Sequence, residues 1–440
     1  MRLQSQKTSA LRVAINAQMT PDLFVGGVQS ALAGLIHSLG KLTDGDEEYV
    51  IIGPQNNWEW LEPYMGRNQR LVPGSTNGRR SLLRFVNRIR RADWKIRRWA
   101  RGAPNINDPE WPEVPISNGF YENLDCQVLH FPYQQYTVCT LPSIYNPHDL
   151  QHLHYPQFFT APEIAYRETI YRAGCDLSRM VAVGSQWIKQ DIIDRYRINP
   201  KKIQVIPSAA PTLVHSSPTP DLLEFVKEKH KLTRPFAFYP AATWEHKNHV
   251  RLLEALAYLR DREILRVNLV CTGRLIAFWP KVEQAIRDLN LNEQVKFLGI
   301  IPGEELRAMY RLAQFVVVPS LFEAASGPVF EAWQENVPAC CSNVTSLPQQ
   351  VRDAALLFDP FSIGEIAKAV KKMATDAEFR IQLVARGIER RKVFSWEKTA
   401  KAYRALYRRA GNRPLSEEDQ YLLDWDWMSA PTQSQDTLHE

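Results

Sequence analysis

Two carboxylates, Glu323 and Glu331, stand eight residues apart in the segment EAASGPVFE. An apolar run ends at Pro319 shortly before them, and Pro328 suits the first turn of a helix, where its missing N–H costs nothing. A strand, a loop and a helix N-terminus in this order direct backbone N–H groups at an anion or a hydroxyl-rich ligand. We predict that Glu323 projects from the loop and that Glu331 accepts hydrogen bonds from a diol such as ribose. The alternative is two surface carboxylates that flank a helix start.

Two other loops contain residue types that suit a phosphate ligand. Lys247 lies in the polar segment WEHKNH, after the apolar run FAFYP, where a lysine can neutralise a diphosphate. Gly26 and Gly27 precede a helical pattern and allow the backbone to approach a phosphate closely. Each signal alone is weak, because a solvated lysine and an ordinary glycine turn have the same residues.

The elements that must position these loops follow from the pattern of apolar residues. Short apolar runs alternate with segments of helical period, which predicts parallel sheets covered by helices on both faces. The strand-like runs are 11–17, 49–53, 128–131, 180–183, 203–207, 236–239, 267–271, 295–298 and 315–318. The helical patterns are 29–42, 187–196, 249–259, 280–289, 304–313 and 396–409.

A segment rich in Pro and Ser, 207–220, interrupts this alternation and predicts a linker between two Rossmann-like halves. We therefore predict a first domain over 1–208 and a second over 209–395. The remainder, 396–440, is predicted to be a crossover helix and a polar tail. We expect the tail, from residue 414 onward, to be flexible or to lie along the surface.

The composition is that of a folded globular protein. The 440 residues are 45% hydrophobic and 23% charged, which argues against a disordered or fibrous chain. No run of about 18 apolar residues is present, and the N-terminal residues lack the apolar region of a secretory signal. Six cysteines without a CxxC pair favour a reducing, cytoplasmic location. The net charge of +6 is modest and does not by itself identify a partner.

These motifs occur together, and in order, in the retaining glycosyltransferases of family 4, which this chain resembles from about Leu11 to Arg409. The resemblance rests on the spacing of Glu323 and Glu331, the HKN at 246–248, the Gly26-Gly27-Val28 loop, and the segments NPHDLQHLHYP and SNVTSLPQQVRDAALLFDP. It implies an α/β fold of the GT-B class. In that class two Rossmann-like, doubly wound domains face each other across a cleft, and a C-terminal helix crosses back to the first domain.

The resemblance also implies roles for individual residues. Lys247 matches the residue that holds the donor diphosphate, Glu331 the ribose ligand, and Glu323 the carboxylate near the hydroxyls of the transferred sugar. The other matching positions are His148 near the donor sugar, Gly26 and Gly27 at the phosphates, and Ala325, Ser326 and Gly327, which supply backbone contacts. Many members carry an arginine about five residues before the lysine, where this chain has Ala242; Arg274 is the candidate replacement.

The function that follows is transfer of a hexose, with retention, from a nucleotide diphosphate sugar to a hydroxyl of a glycan or lipid-linked acceptor. We expect no metal and no cofactor, because members of this family work without a metal. The usual proposal for them is front-face attack assisted by the departing phosphate. Three alternatives remain open: a non-catalytic GT-B scaffold in a membrane polysaccharide-assembly complex, a nucleotide-sugar epimerase, and a phosphorylase, for which no pyridoxal phosphate lysine is identified.

Two further motifs suggest metal sites, and we reject both. His148, Asp149, His152 and His154 form HDxxHxH, but proline residues bracket this segment and no second ligand cluster accompanies it. The DxD motifs at 44–46 and 424–426 resemble a manganese motif of another glycosyltransferase fold. The first lies in a turn between a helix and a strand and the second in the tail, so we interpret both as accidental.

The segment from Arg79 to Arg101 has ten Lys or Arg residues against one acid, Asp93. Apolar residues recur in it near helical spacing, namely Leu82, Val86, Ile89, Ile96 and Trp99, with Phe85 and Trp94 nearby. Such a helix fits attachment to an anionic membrane surface, which here would be the inner membrane face. It equally fits a helix that packs its apolar stripe on a sheet while its arginines are solvated. Nucleic acid is the least favoured partner, because no recognised module accompanies the charge.

Overall fold

The computed structural model describes residues 10–19, 27–74, 82–100, 111–211 and 216–428. The chain divides into two compact units. The first comprises Met1–Val183, Lys189–Ile206 and Trp396–Trp425, and the second comprises Gly184–Ile188, Pro207–Ser395 and Asp426–Glu440. Within the described residues, no helix is both long enough and apolar enough to cross a membrane.

The first unit is built around a sheet that has seven parallel strands among the described residues. The strands are β1 (Arg12–Asn16), β2 (Glu48–Gly53), β3 (Gln69–Pro73), β4 (Val128–Phe131), β5 (Ser143–Tyr145), β6 (Met180–Val183) and β7 (Ile203–Val205). Its helices are α1 (Gly27–Lys41), α2 (Leu82–Ala100), α3 (Gln151–His154), α4 (Ala161–Leu177), most of α5 (Gln186–Tyr196), α14 (Trp396–Ala410) and α15 (Glu417–Asp424).

The second unit contains a sheet with six parallel strands in the described part of the chain. They are β8 (Phe236–Pro240), β9 (Asn268–Thr272), β10 (Val295–Phe297), β11 (Phe315–Val318), β12 (Ala339–Ser342) and β13 (Leu356–Phe358). The helices are α6 (Pro220–Lys229), α7 (His249–Glu263), α8 (Trp279–Asp288), α9 (Gly303–Leu312), α10 (Gly327–Gln334), α11 (Leu347–Val351), α12 (Ile363–Thr375) and α13 (Ala377–Arg391).

Both sheets have the strand order of a doubly wound fold. The first runs β3-β2-β1-β4-β5-β6-β7 and the second β10-β9-β8-β11-β12-β13. The order therefore reverses between β1 and β4 in one sheet and between β8 and β11 in the other. Open parallel sheets bind ligands outside the carboxyl ends of their strands at such a reversal. A ligand site in the second unit is therefore expected at the loops that follow β8 and β11.

The predicted strands and helices are confirmed, and the apolar runs explain why. All four residues of β11, FVVV, are buried, as expected for a central parallel strand covered on both faces. Four strands were not predicted from the sequence: β3, β5, β12 and β13. Two of them, β5 and β13, have only three residues. Strand β3 (QRLVP) begins with two polar residues and has no buried residue, and β12 (ACCS) consists of small residues with little strand character.

The C-terminal helix α14 packs within the first unit. A Cβ atom on Gly34 of α1 would lie 2.2 Å from the Trp396 ring, so the two helices can approach this closely only because residue 34 is glycine. The hydroxyl of Tyr403 accepts a hydrogen bond of 2.6 Å from Asn146 Nδ2, and Tyr407 bonds the His130 ring at 2.9 Å. These buried polar contacts fix α14 against the ends of β4 and β5.

The tail is more ordered than the sequence suggested. Residues 417–424 form α15, which begins at a capping box formed by Ser416 and Asp419 and contacts α14. Leu423 and Trp427 are buried, with exposed fractions of 4% and 1%. Residues 417–424 therefore form an ordered helix that lies on the surface with one side buried, since Glu417, Glu418 and Tyr421 remain exposed. Residues 429–440 lie outside the described residues.

Candidate functional site

Lys247 and Glu323 meet at the point where the second sheet reverses its strand order. Lys247 lies in the loop after β8, at the end of a short 3-10 turn, and Glu323 lies in the loop after the neighbouring strand β11. Lys247 Nζ donates a hydrogen bond of 2.6 Å to Glu323 Oε1. Both side chains are largely enclosed, with exposed fractions of 21% and 9%. Two residues 76 positions apart in the sequence therefore form one charged pair.

The loop that carries Lys247 is held by its neighbours. The Tyr239 hydroxyl donates to the Lys247 carbonyl at 2.8 Å. Asn248 follows with a positive φ of 61°, and its buried side-chain amide donates to the carbonyls of Pro319, at 3.0 Å, and Pro360, at 2.9 Å. Asn248 therefore ties the loop after β8 to the loops after β11 and β13, which limits the positions that Lys247 can take.

The backbone of Glu323 is fixed from the adjacent strand. Its N–H donates to Thr345 Oγ1 at 3.1 Å, and the same hydroxyl donates to the Glu323 carbonyl at 2.6 Å. Thr345 follows β12, the strand next to β11. One side chain thus satisfies both backbone groups of Glu323 and orients its carboxylate.

Glu331 lies one turn into α10 and faces the protein interior, with an exposed fraction of 7%. The hydroxyl of Tyr310, on α9, donates a hydrogen bond to Glu331 Oε2. Burial raises the pKa of Glu331 to about 7, and the nearby Glu335 adds to this effect while the Tyr310 hydroxyl opposes it. Glu331 therefore titrates near neutral pH, which is unusual for a carboxyl group and typical of functional sites.

The turn into α10 is not as open as the sequence implied. The side-chain amide of Gln350 accepts from the Ser326 N–H at 2.8 Å and donates to the Ser326 carbonyl at 3.0 Å. The backbone N–H of Ser326 is therefore occupied by Gln350 in this structure. Gly327 begins α10, in the first turn of which N–H groups lack partners within the helix. Ala325 precedes Ser326 in the same turn.

Arg274 follows β9, the strand on the other side of β8. Its carbonyl accepts from the N–H of Thr243 at 3.0 Å, so its loop is bonded to the loop that contains Lys247. Gly273 has a φ of +124°, and a Cβ atom there would lie 2.6 Å from the Ala241 carbonyl carbon. This close approach of two backbones requires glycine just before Arg274.

The remaining predicted residues belong to the first unit. His148 follows β5 with a positive φ of 64°, and its Nε2 lies 2.9 Å from the Pro132 carbonyl. Since a carbonyl only accepts, Nε2 carries the proton and Nδ1 is left as an acceptor. Burial lowers the pKa of His148, which favours this neutral form. Gly27 is the first residue of α1 and has open space where a Cβ would be, whereas Gly26 lies outside the described residues.

The histidines and aspartates of the rejected motifs have separate partners. His152 bonds Glu168 at 3.1 Å and His154 bonds Asp191 at 2.9 Å. Asp44, of the first DxD motif, pairs with Arg404. Across the described ranges, no three His, Cys, Asp or Glu residues are grouped so that they could hold a metal ion.

This arrangement suits an anionic, hydroxyl-rich ligand. The Lys247 ammonium and the N-terminus of α10 provide positive charge for an anion. Glu323 and Glu331 have different partners, so each can serve as a separate acceptor for hydroxyl groups. Tyr310, Asn248, Thr345 and Gln350 support these groups. None of the four was assigned an individual role from the sequence, because the groups that they bond are distant in the chain and close only in the fold.

The family model described as "Glycosyl transferases group 1" matches residues 222–390, which include Lys247, Glu323 and Glu331. The chain is 30% identical over 285 residues to O-antigen chain mannosyltransferase B of Escherichia coli. That match covers 60% of this chain and 73% of the relative.

The chain belongs to the group 1 glycosyltransferases.

Solved structures confirm the fold of this glycosyltransferase. Sucrose-phosphate synthase from Thermosynechococcus elongatus superposes with a TM-score of 0.63 at 20% identity, over 91% of this chain and 98% of that one. Anabaena Alr3699/HepE, solved in complex with UDP and glucose, gives 0.64 at 13% identity, over 90% and 99%. At these identities the likeness shows the fold alone. The predicted α/β GT-B class is thereby confirmed.

Proposed function

We propose that this glycosyltransferase transfers a hexose, with retention of anomeric configuration, from a nucleotide diphosphate sugar to a hydroxyl of a glycan or lipid-linked acceptor. The Lys247–Glu323 pair at the strand-order reversal of the second sheet is the observation that carries the proposal. The name of the Escherichia coli relative, a mannosyltransferase of O-antigen chains, supports surface-polysaccharide assembly as the setting. The UDP and glucose bound to the Anabaena protein support a nucleotide-sugar donor.

A bound donor would replace the Lys247–Glu323 ion pair by two contacts, one between Lys247 and the diphosphate and one between Glu323 and the sugar. In the structure the Lys247 ammonium is neutralised by Glu323 at 2.6 Å. A bound diphosphate attracts Lys247 more strongly than a single carboxylate does, because it carries two negative charges. The released Glu323 carboxylate then accepts hydrogen bonds from hydroxyls of the transferred sugar. The pair therefore holds both side chains in place until the donor arrives.

The catalytic roles of these residues follow from the charges that develop on the donor as its bond to the sugar breaks. As the bond between the anomeric carbon and the phosphate oxygen breaks, the leaving diphosphate gains negative charge and the sugar becomes oxocarbenium-like. Lys247 and the N-terminus of α10 stabilise the leaving group, with Arg274 and the loop of Gly26 and Gly27 as further contacts. The acceptor hydroxyl attacks on the face that the diphosphate leaves, and its proton passes to a departing phosphate oxygen. The sequence resemblance assigns His148 to the donor sugar.

Glu331 is assigned to the ribose of the donor. When ionised, its carboxylate accepts hydrogen bonds from both hydroxyls of a diol. The Tyr310 hydroxyl holds Oε2 in place, and the pKa near 7 makes the ionised fraction depend on pH in the physiological range. We assign Tyr310 as a residue that positions Glu331 rather than one that contacts the donor.

We also propose that the enzyme works in the cytoplasm without a metal ion or other cofactor, and that nucleic acid is not a partner. Positive charge from Lys247 takes the place that a divalent ion has in metal-dependent transferases. A lipid-linked acceptor lies in a membrane. If the acceptor is of this kind, we propose that the enzyme is located peripherally at the inner membrane face.

A thermal-shift panel tests the donor assignment. UDP, GDP, ADP and their hexose conjugates are added to wild type and to Lys247→Met, with and without EDTA. A ligand that binds the folded state raises the melting temperature. One nucleotide family should stabilise the wild type regardless of EDTA, should fail with Lys247→Met, and should stabilise the control Lys368→Met, which replaces an exposed lysine of α12.

Transfer is then measured with the donor so identified and a lipid-linked or glycan acceptor, and NMR assigns the anomeric configuration of the product. Retention supports the proposal, and inversion contradicts it. Binding without any transfer would favour a non-catalytic scaffold. Equal stabilisation of Lys247→Met and wild type would contradict the site itself.

A further inference from the structure

Helix α2 is attached to the first unit by its polar side. Asn87 and Trp94 are both buried and lie seven residues apart on the inward face. Asn87 Nδ2 donates to Glu122 Oε1 at 3.0 Å, and Trp94 Nε1 donates to Asp176 Oδ2 at 2.9 Å. Hydrogen bonds of the inward face therefore fix this helix, and its apolar stripe is not needed for that purpose.

The outward face of α2 contains a row of large apolar side chains. Phe85, Ile89 and Ile96 have exposed fractions of 61%, 53% and 65%. Their spacings of four and seven residues place them on one side of the helix, over a length of about 16 Å. The alternative in which this stripe packs on the sheet is therefore wrong for these three residues. A row of large exposed apolar side chains marks an interaction site.

Basic residues border this apolar row. Arg84 and Arg88 are exposed beside Phe85 and Ile89. The single acid of the helix, Asp93, lies next to Ile89 and Ile96 and is neutralised by Arg97. An apolar centre with a basic border matches an anionic bilayer, in which acyl chains lie beneath negatively charged headgroups. Two copies of the chain that met through this face would bring like charges together, which opposes dimer formation. Nucleic acid would leave the apolar row unexplained.

We propose that α2 docks this glycosyltransferase onto an anionic lipid bilayer. The helix lies in the plane of the membrane, Phe85, Ile89 and Ile96 enter the boundary between headgroups and acyl chains, and Arg84 and Arg88 contact lipid phosphates. This inference is independent of the proposed donor and acceptor, because it concerns a surface whose binding is measured with neither present.

Vesicle co-sedimentation of the full chain tests the proposal. The probes are vesicles of phosphatidylcholine with phosphatidylglycerol and vesicles of phosphatidylcholine alone. Wild type should bind the anionic vesicles more tightly, and added salt should weaken this binding. A triple variant, Phe85→Ser with Ile89→Ser and Ile96→Ser, should bind the anionic vesicles at least about tenfold more weakly.

Two further variants test the contribution of the arginines and the effect of removing an exposed apolar side chain elsewhere on the surface. Arg84→Gln with Arg88→Gln should weaken binding to anionic vesicles and reduce its salt dependence. Ile381→Ser removes an apolar side chain of similar exposure, 69%, from α13, and should bind as wild type does. A circular dichroism spectrum and a melting temperature equal to those of wild type, measured without ligand, show that each variant is folded.

Three outcomes would overturn the proposal. The first is a wild type that does not bind anionic vesicles. The second is a triple variant that binds them as well as wild type does. The third is a wild type that self-associates without lipid and becomes monomeric in the triple variant, which would make a second copy of the chain the occupant of this face.

Discussion

Replacement of Glu331 by glutamine should raise stability and lower function, and the effect should depend on pH. The carboxyl is buried, and burial raises its pKa from an ordinary value of 4.5 to about 7. Between these two values the folded protein binds more protons at Glu331 than the unfolded chain does. The free energy of unfolding of the wild type therefore falls as pH rises through this window. Glutamine keeps the shape and an acceptor for Tyr310 but cannot ionise.

The magnitude follows from the two pKa values. Each pH unit between them corresponds to about 1.4 kcal/mol, so the cost of ionising Glu331 in the folded state reaches about 3 kcal/mol above pH 7. Relative to wild type, Glu331→Gln should therefore gain about 3 kcal/mol of stability as pH rises from 4 to 8. The same variant should bind the nucleotide sugar at least about tenfold more weakly, because a charged acceptor for the ribose is lost.

Urea unfolding of both proteins, followed by tryptophan fluorescence at several pH values, measures the difference. Tyr310→Phe is the companion variant. Loss of its hydroxyl removes the hydrogen bond that lowers the pKa of Glu331, so the stability of this variant should continue to fall to higher pH than in the wild type. If the free energies of unfolding of wild type and Glu331→Gln changed in parallel from pH 4 to pH 8, the raised pKa of Glu331 would be contradicted.

Four other predictions concern the loops and the chemistry. Asn248→Ala removes the amide that bonds the carbonyls of Pro319 and Pro360, and should lower the free energy of unfolding in urea by about 2–3 kcal/mol. An unchanged free energy of unfolding would mean that these two hydrogen bonds do not hold the loop after β8. Gly273→Ala places a Cβ 2.6 Å from backbone and should cost about 2 kcal/mol or more. Gly299→Ala, with φ of +67° and open space, should cost only about 1–2 kcal/mol in the same assay. EDTA should leave the measured rate of sugar transfer unchanged, and a loss restored by added metal would contradict the role of Lys247.

The fold and the placement of Lys247 and Glu323 in loops at one edge of the second sheet could be predicted because both depend on short patterns, whereas the ion pair between the two side chains was not predicted. Apolar runs such as FVVV in β11 identify buried strands, and alternation with helices determines a parallel sheet. The strand order then brings the loops after β8 and β11 together, so Lys247 and Glu323 meet although they are distant in sequence. Three-residue strands such as β5 have too few residues to show a pattern.

Other features depend on burial and on distant partners, which a single sequence does not reveal. The pKa of Glu331 is raised by its surroundings, and Tyr310 lies 21 positions away. Ser326 resembles an open backbone contact in sequence, but Gln350 occupies its N–H. The periodicity of α2 predicted an amphipathic helix and could not determine which face is inward. Hydrogen bonds of Asn87 and Trp94 decide that, and they turn the apolar row outward.

A crystal structure with the nucleotide sugar bound would test the proposed donor site more directly than any variant. In it, Lys247 should leave Glu323 and bond the diphosphate, Glu323 should accept hydrogen bonds from hydroxyls of the sugar, and Glu331 should bond the ribose. A donor bound elsewhere, or a donor bound while the Lys247–Glu323 pair stays intact, would contradict the proposed donor site.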